Sequence, residues 1–540
     1  MPDVIGELIV TAVVATGEGE AFASLAEASY LGVSGITAIG SAALIGTAIG
    51  LQYALGRPGL PKPEDGSQAL KQAIPPRIRG YGTNRLAGYY MLYEAGGPAP
   101  ASSYDVIAFH SGRVSQVAAL LLNDDVVTPD VSIAHGGIAT ILGTYADERY
   151  SHNAIHIDVK IGNPGQTAST LLTADPLING VWNAGFVGNG IAYCAMVCNG
   201  SADVSLFSRV YPRGKPELSV IAQCSPCWDP RDPAQDRLTE STWLVSFNPI
   251  VQLIDYLTRV DGGMGLDYDI IIAPNLAAWI TEANLCDEMV ATVSGTEKRY
   301  ESSGWFQFDN KPEDVIGGIL STCDGWLAES GDGTLSITVG VYRTPTDDPI
   351  TEKHIFGFAL NYGQADEQMV NQLEISFTDP ASKYVSVQTD PWRDEDSISL
   401  TGIVRSQPID LKWVQSNSQA RRLADRAMQR LNPLMTGSFT TSLHELRFLG
   451  KRWVPVQYPF VSGLQDCVVE IQSAEVDLLA GRIIWDFIRI APDSIEAYFP
   501  PTDEGATPVV PPPAVAFAYL REDSSRLIRE DDSIYAREGT

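Results

Sequence analysis

Asn248-Pro249-Ile250-Val251-Gln252-Leu253-Ile254-Asp255-Tyr256-Leu257 opens the stretch on which the reading of this chain turns. An asparagine suited to capping a helix stands directly before the residue best suited to the first helical position. Ile250, Leu253, Ile254 and Leu257 then recur at helical spacing, which predicts a short helix docked through one apolar stripe, with Gln252 and Asp255 facing away. A second helix is predicted over residues 274–284. A third starts with Asn310 as its cap, has Pro312, Glu313 and Asp314 in its first turn, and buries Val315, Ile316, Ile319 and Leu320. Residues 325–329 and 334–339 follow as two strands joined by a Gly331-Asp332-Gly333 turn. The stretch up to Tyr342 is therefore an α+β unit, helices packed on a hairpin.

Outward from that unit the chain is β-rich. On the N-terminal side, strands are predicted over 104–110, 114–122, 138–142, 156–161 and 190–197, most of them short and bounded by Gly, Asn, Asp or Pro, the pattern of barrels and sandwiches. Residues 72–82 read as an extended arm, because Pro75 and Pro76 hold the residues before them out of helix. On the C-terminal side, 371–380 alternates as a strand, and 467–476 with 482–490 form a hairpin around Ala480-Gly481. Between them lies the clearest amphipathic helix, residues 417–431. Ala420, Leu423, Ala424, Ala427, Met428 and Leu431 make its apolar stripe, and Arg421, Arg422, Arg426 and Arg430 decorate the other side. Those arginines are either a solvated face or a subunit interface that meets acids on a neighbouring copy.

Composition bounds the rest. A chain of 540 residues, 44% hydrophobic and 19% charged, buries real cores in about three to five domains. With 66 acidic against 37 basic residues the net charge is −29, which argues against wrapping DNA or anionic lipid over a broad surface. Met1-Pro2-Asp3 lacks the basic start of a secretory signal, and seven cysteines fit a reducing compartment better than a disulfide framework. Residues 28–56 carry no formal charge, and Ala42, Gly46, Gly50 and Ala54 recur at every fourth position, a stripe that lets helices approach closely. A buried helical hairpin, a bundle with other copies, and contact with a membrane all satisfy that pattern. The resulting division is 1–66, hydrophobic segment and linker; 67–243, β-rich; 244–350, α+β; 351–498, a second β-rich region with the amphipathic helix; 499–540, a proline-rich linker and a tail repeating every eight residues from Leu520 to Ile528 to Ala536.

The motifs of chemistry are largely missing. The sequence holds no His-Glu-x-x-His, no phosphate loop and no Gly-x-Ser-x-Gly elbow, so neither catalysis nor a cofactor is expected. His152 and His156 stand four apart in a strand-like context, where four residues span about 13 Å, too far to share one ion. Cys224-Ser225-Pro226-Cys227 has the spacing of half a metal site or a redox turn, while buried free thiols account for it equally. Acid pairs such as Asp229 with Asp232, or Asp394 with Asp396, resemble glycosidase carboxylates only in spacing. The alternative function class is accordingly a glycan-binding or glycan-hydrolysing enzyme of the cell surface.

The order of several pieces is more specific than any one of them. Phe247-Asn248-Pro249, Asp255-Tyr256-Leu257, Gly262-Gly263-Met264-Gly265 and a helix leading into Gly325-Trp326-Leu327 resemble the central hub, or tip-attachment, protein of long-tailed bacteriophages and gene transfer agents. Gln72 to Gly82 with Arg85-Leu86-Ala87-Gly88, the Asn371-led strand and the Arg-rich helix resemble further parts of the same family. The resemblance implies a multidomain, mainly β protein with tail-tube-like barrel domains. It implies a homotrimer at the virion tail tip, assembled in the host cytoplasm, whose partners are the tail tube, distal tail proteins, the tape-measure protein and tail fibres. Genomic DNA would pass through it, and residues 28–56 would be the point of any host membrane contact.

Overall fold

The structure is a computed structural model, and it describes residues 75–97, 101–143, 148–330, 332–363, 369–489, 498–506, 508, 517–518 and 536–537. The stripe Ala42, Gly46, Gly50 and Ala54, and most of the eight-residue tail repeat, lie outside the described residues. Among the described residues no helix is long and apolar enough to cross a membrane.

Short strands punctuated by turn residues build the N-terminal half. They are β1 (Ile78–Tyr81), β2 (Thr83–Leu86), β3 (Tyr89–Gly96), β4 (Ser102–Ser111), β5 (Gln116–Leu122), β6 (Asp125–Pro129), β7 (Gly137–Gly143), β8 (Ile155–Ile161), β9 (Ile191–Cys198) and β10 (Leu218–Gln223). All but β1 join one sheet of nine strands, ordered β2-β10-β5-β6-β7-β8-β9-β4-β3, which curls into a half barrel. β9 is a nearly continuous apolar run because both of its faces are covered. Ala192, Cys194, Met196 and Cys198 enter the main core on one face, while Tyr193, Ala195 and Val197 pack with Tyr104, Val106, Leu172 and Trp182 in a second cluster on the other face. The extended arm is thus two strands: β2 joins the sheet, while β1 leaves it and pairs antiparallel with Gly304–Gln307, Ile78 opposite Gln307 and Tyr81 opposite Gly304. Gly82 makes the corner between them at a φ of 67°, where a Cβ would come 2.2 Å from Ser303 Oγ.

Three helices and a hairpin build the central module. Helix α1 (Pro249–Thr258) is capped by Asn248, whose Oδ1 accepts from the amides of Ile250 and Val251 at 3.0 and 3.4 Å. A 3₁₀ turn at Ala273–Asn275 leads into α2 (Leu276–Cys286), and α3 spans Pro312–Ser321. Two details differ from expectation. Gln252 and Asp255 are buried rather than facing away: Gln252 Nε2 donates to the carbonyls of Ser246 and Ser302, each at 2.8 Å, and so ties the helix to the strands beside it. Asn310 does not cap α3, which begins after Lys311. Its side chain accepts from the amide of Gln307 at 2.6 Å, closing the preceding turn instead. The glycine-rich run packs back on α1, with the amides of Met264 and Leu266 donating to the carbonyls of Tyr256 and Leu257, each at 2.9 Å. Gly262 has a φ of 77° and sits against the Phe308 ring, where a Cβ would come within 2.1 Å.

The C-terminal half is divided between two cores, which the single 351–498 region did not anticipate. Helix α4 (Asn417–Leu431), with strands Gln372–Asp379 and Ser406–Leu411, buries Leu373, Ile375, Ile409, Leu411, Leu423 and Ala427 in the core of the central module. A separate sheet of six strands runs in the order Ile350–Thr351, Trp453–Gln457, Cys467–Asp477, Arg482–Arg489, Met435–Ser442, Ile355–Tyr362, and closes around Phe439, Val454, Ile471 and Trp485. The predicted hairpin, Trp326–Glu329 with Leu335–Thr338, is the wall between them. Strand alternation sends Trp326 and Ala328 into the six-stranded core and Leu327 toward the central one.

Candidate functional site

Two polar joints fasten the central module to its neighbours, and Arg422, Arg426 and Arg430 fall on the first while Cys224 and Cys227 flank the second. The first is organised by α4. Its N-cap is Ser416, whose Oγ accepts from the Gln419 amide at 3.3 Å and donates to Glu297 at 2.8 Å. Arg422, Arg426 and Arg430 stand four apart and so form one row along the helix. That row is not a solvated face, and its partners are acids of the same chain: Arg422, Arg426 and Arg430 have side chains only 6–8% exposed. Arg422 Nη1 meets Glu297 Oε1 at 2.7 Å, while Arg421 donates to the carbonyls of Asp503 and Asp390 at 3.0 and 2.6 Å.

Arg430 is the centre of the knot. Its Nη1 and Nη2 donate to the two oxygens of Asp324 at 2.7 and 2.9 Å, and its Nε donates to Glu470 Oε1 at 2.9 Å. Arg426 lies 3.6 Å from Asp324, and Arg452, from the six-stranded sheet, donates to the Asp324 carbonyl at 2.7 Å and to its carboxylate at 3.1 Å. Arg452 Nη2 also stands 3.5 Å from Glu470 Oε1. Three guanidiniums therefore share two carboxylates in a nearly dry site. Burial pushes the Asp324 carboxyl upward, but Arg430, Arg452 and Arg426 overcome that and hold it down to about 2. Glu470 is lowered by the same opposition of burial against Arg430 and Arg452. The acids come from the turn after α3 and from strand Cys467–Asp477, so the cluster fastens helix, hairpin and sheet at one point.

The second joint lies between α1 and β1. Tyr81 Oη donates to Asp255 Oδ2 at 2.8 Å, and Arg259 clamps the same carboxylate through Nε and Nη2 at 2.9 and 2.7 Å. Close by, His110 Nε2 accepts from the Gly80 amide at 3.1 Å, and its Nδ1 stands 3.2 Å from the Gly112 carbonyl, the geometry of a neutral ring protonated on Nδ1. Burial first and Arg79 second push His110 down to about 3. Cys224 and Cys227 flank this joint without joining each other. Both are buried free thiols, Cys224 in the core of the nine-stranded sheet and Cys227 in the central core. Burial lifts the Cys224 thiol to about 12 and pushes the Cys227 thiol well up, which favours the protonated form over the thiolate a metal ligand needs.

The other candidates have local duties. His156 sits in β8 with Nδ1 3.1 Å from Thr140 Oγ1, while His152 pairs with Glu148 at 3.6 Å. Asp229 braces Arg231 at 2.8 Å, and Asp394 caps the helix Glu395–Thr401 by accepting from the Ser397 amide at 2.9 Å. A cavity of about 280 Å³ opens on the face of β3, β4 and β9, walled by Pro76, Tyr89, Val106, Trp182 and Tyr193. Its lining is almost wholly apolar, and His110, the imidazole beside it, is hydrogen-bonded to backbone. Sequence reasoning missed Asp324, Glu470 and Arg452. The available signal was the four-residue spacing of Arg422, Arg426 and Arg430 on a helix otherwise rich in alanine, a cationic row that has to find acids wherever it is buried.

Residues 311–448, which contain α3, α4 and Asp324, match the family model described as "Putative phage tail protein". Over 83% of this chain and 93% of the other, the fold is similar to a chain from the virion of a native gene transfer agent particle, with a TM-score of 0.50 at 13% identity. Weaker likenesses are to the 43 kDa tail protein of prophage MuSo2 from Shewanella oneidensis (TM-score 0.27, 10% identity, 78% of this chain and 96% of that one) and to a tail protein from Neisseria meningitidis MC58 (TM-score 0.28, 9% identity, 78% and 99%). No curated protein matches the chain. The family match covers the segment 311–448, and over the rest of the chain the likeness is one of fold.

Proposed function

We propose that this chain is the hub of a tail tip: a structural virion protein that associates as a homotrimer, caps the tail tube, anchors tail-tip and fibre proteins, and opens for DNA. The observation that supports this most directly is the pairing of a tail-protein family match over 311–448 with a fold similar, over 83% of the chain, to a chain of a gene transfer agent virion. The joints favour a mechanical role. Their charged groups are spent on one another, so the central module and both sheets behave as one rigid piece, as a part that bears load needs. In this reading the half-barrel sheets face a common axis and meet the tube, while a net charge of −29 keeps DNA phosphates from adhering as they pass. The tape-measure protein would occupy the axis before ejection, and residues 28–56 would be the segment nearest a host membrane. No catalysis enters the mechanism.

Light scattering on the purified full chain tests the proposal. A mass of three chains sustains it, and a stable monomer at virion-like local concentration overturns it. Gold-labelled antibody against the chain, imaged on intact particles, is expected at the distal end of the tail, and label along the shaft would assign a different tail role.

A further inference from the structure

Away from both joints, a turn and a short helix bring two imidazoles and a carboxylate together. His354 lies between strands Ile350–Thr351 and Ile355–Tyr362, and His444 with Glu445 opens the 3₁₀ helix Leu443–Phe448 that follows strand Met435–Ser442. The backbone sets their approach, since the Ser442 amide donates to the His354 carbonyl at 3.2 Å and the His354 amide to Thr351 at 3.0 Å. One ligand atom from each of the three side chains lies within 4.8 Å of the other two. The two rings are 4.4 Å apart between centroids, tilted by 59°.

We propose that His354, His444 and Glu445 form a site for a divalent first-row transition-metal ion of the zinc type. Three features carry this. Two neutral imidazoles and one carboxylate are the donor set that such ions take, with a fourth position left for water. The Glu445 carboxylate is fully buried, yet one oxygen alone is committed to a cation, Arg447 Nε donating to Oε2 at 3.1 Å; Oε1 faces His354 Nδ1. His444, exposed and without a hydrogen-bond partner among the described residues, presents its ring to His354, an arrangement that two protonated imidazoles would resist and a shared cation would reward. An ion taken there would replace the hydrogen bond between His354 and Glu445 with bonds to the metal, at ligand distances of about 2.0–2.2 Å. Arg447 keeps its oxygen and its second anchor, the Asp348 carbonyl at 3.1 Å, as an outer partner that orients the carboxylate. The ion would fasten the turn at His354 to the 3₁₀ helix, across the strand end at the edge of the six-stranded sheet, and would stiffen that margin.

Zinc chloride is titrated into the chelator-stripped full chain, in competition with a chromophoric chelator, and thermal unfolding is followed with and without the metal. The expected result is one tight equivalent per chain and a rise in Tm. His444→Ala, at an exposed position, should fold normally and weaken binding by more than about 100-fold, since even an outer partner's loss costs about 10–100-fold. Glu445→Gln keeps the shape of the side chain and should also abolish the Tm rise, while His152→Ala should change neither. Cobalt should give the visible absorption of a low-symmetry site in the parent and lose it in His444→Ala. Sub-stoichiometric or weak uptake by the parent, or unchanged binding in His444→Ala, overturns the proposal and leaves a hydrogen-bonded His-Glu-Arg cluster.

Discussion

The two joints of the central module solve one problem with different chemistry. Toward the six-stranded sheet, Asp324 and Glu470 are locked among Arg426, Arg430 and Arg452, an ionic knot with no neutral member. On the side of β1, a single carboxylate, Asp255, is shared by Tyr81 and Arg259, and the nearby imidazole of His110, from β4 of the nine-stranded sheet, is kept neutral. The difference follows from what each side supplies. On the second side α1 is already covered by Tyr81, Phe306 and Cys227 and needs little polar support, whereas α4 brings a row of cations that are tolerable in a dry place only when acids meet them. An ionic joint is costly to break and insensitive to mild acid. A joint built on a neutral histidine is weaker and yields sooner as pH falls.

The comparison breaks first at Asp324. Replacing it with Asn keeps the shape but leaves three guanidiniums to one carboxylate, and should cost about 3–5 kcal/mol in urea unfolding. A loss under about 1 kcal/mol would place the knot in the same class as a surface ion pair. Tyr81→Phe removes the hydroxyl from Asp255 while Arg259 remains, so the expected loss is smaller, about 1.5–3 kcal/mol by the same measurement.

Acidification sharpens the contrast further. His110 has its folded pKa depressed from its ordinary value of 6.5 to about 3, so the unfolded chain binds the extra proton and stability falls as pH drops between those values, by about 2 kcal/mol at pH 5. Asp324, depressed from 3.8 to about 2, contributes stability that is present above pH 3.8 and is lost only as pH falls through 2. Unfolding midpoints measured from pH 7 to pH 4.5 should therefore slope downward in the parent and flatten in His110→Gln, with hydrogen exchange rising first in β1. An equal slope in both proteins would remove His110 from the account. Smallest is Ser416→Ala, which deletes the cap of α4 and should cost about 1 kcal/mol, with the same unfolding assay as its check.

Much of the fold was legible locally. Asn248-Pro249 announced α1, the apolar spacing of 417–431 matched α4 at both ends, and the alternation of 467–476 and 482–490 foretold its hairpin. These readings succeed because capping, periodicity and turn chemistry act over a few residues. The errors share one cause. Gln252, Asp255 and the arginine row were assigned outward because polar side chains usually face water, and each is instead buried against a partner far along the chain, such as Ser302, Tyr81 or Asp324. Nothing in residues 421–430 names Asp324 or Glu470, so the knot could be suspected from its cations but not located.

The sequence by itself determined the kinds of element, their order, the acidic balance and the family resemblance, because those depend on neighbours in the chain. Only the tertiary structure decided that α4 belongs to the central core, that β1 leaves its own sheet to pair with Gly304–Gln307, and that the arginines turn inward. Those outcomes rest on contacts between residues up to hundreds of positions apart, where the cost of burying a charge is settled by whichever distant group arrives to meet it.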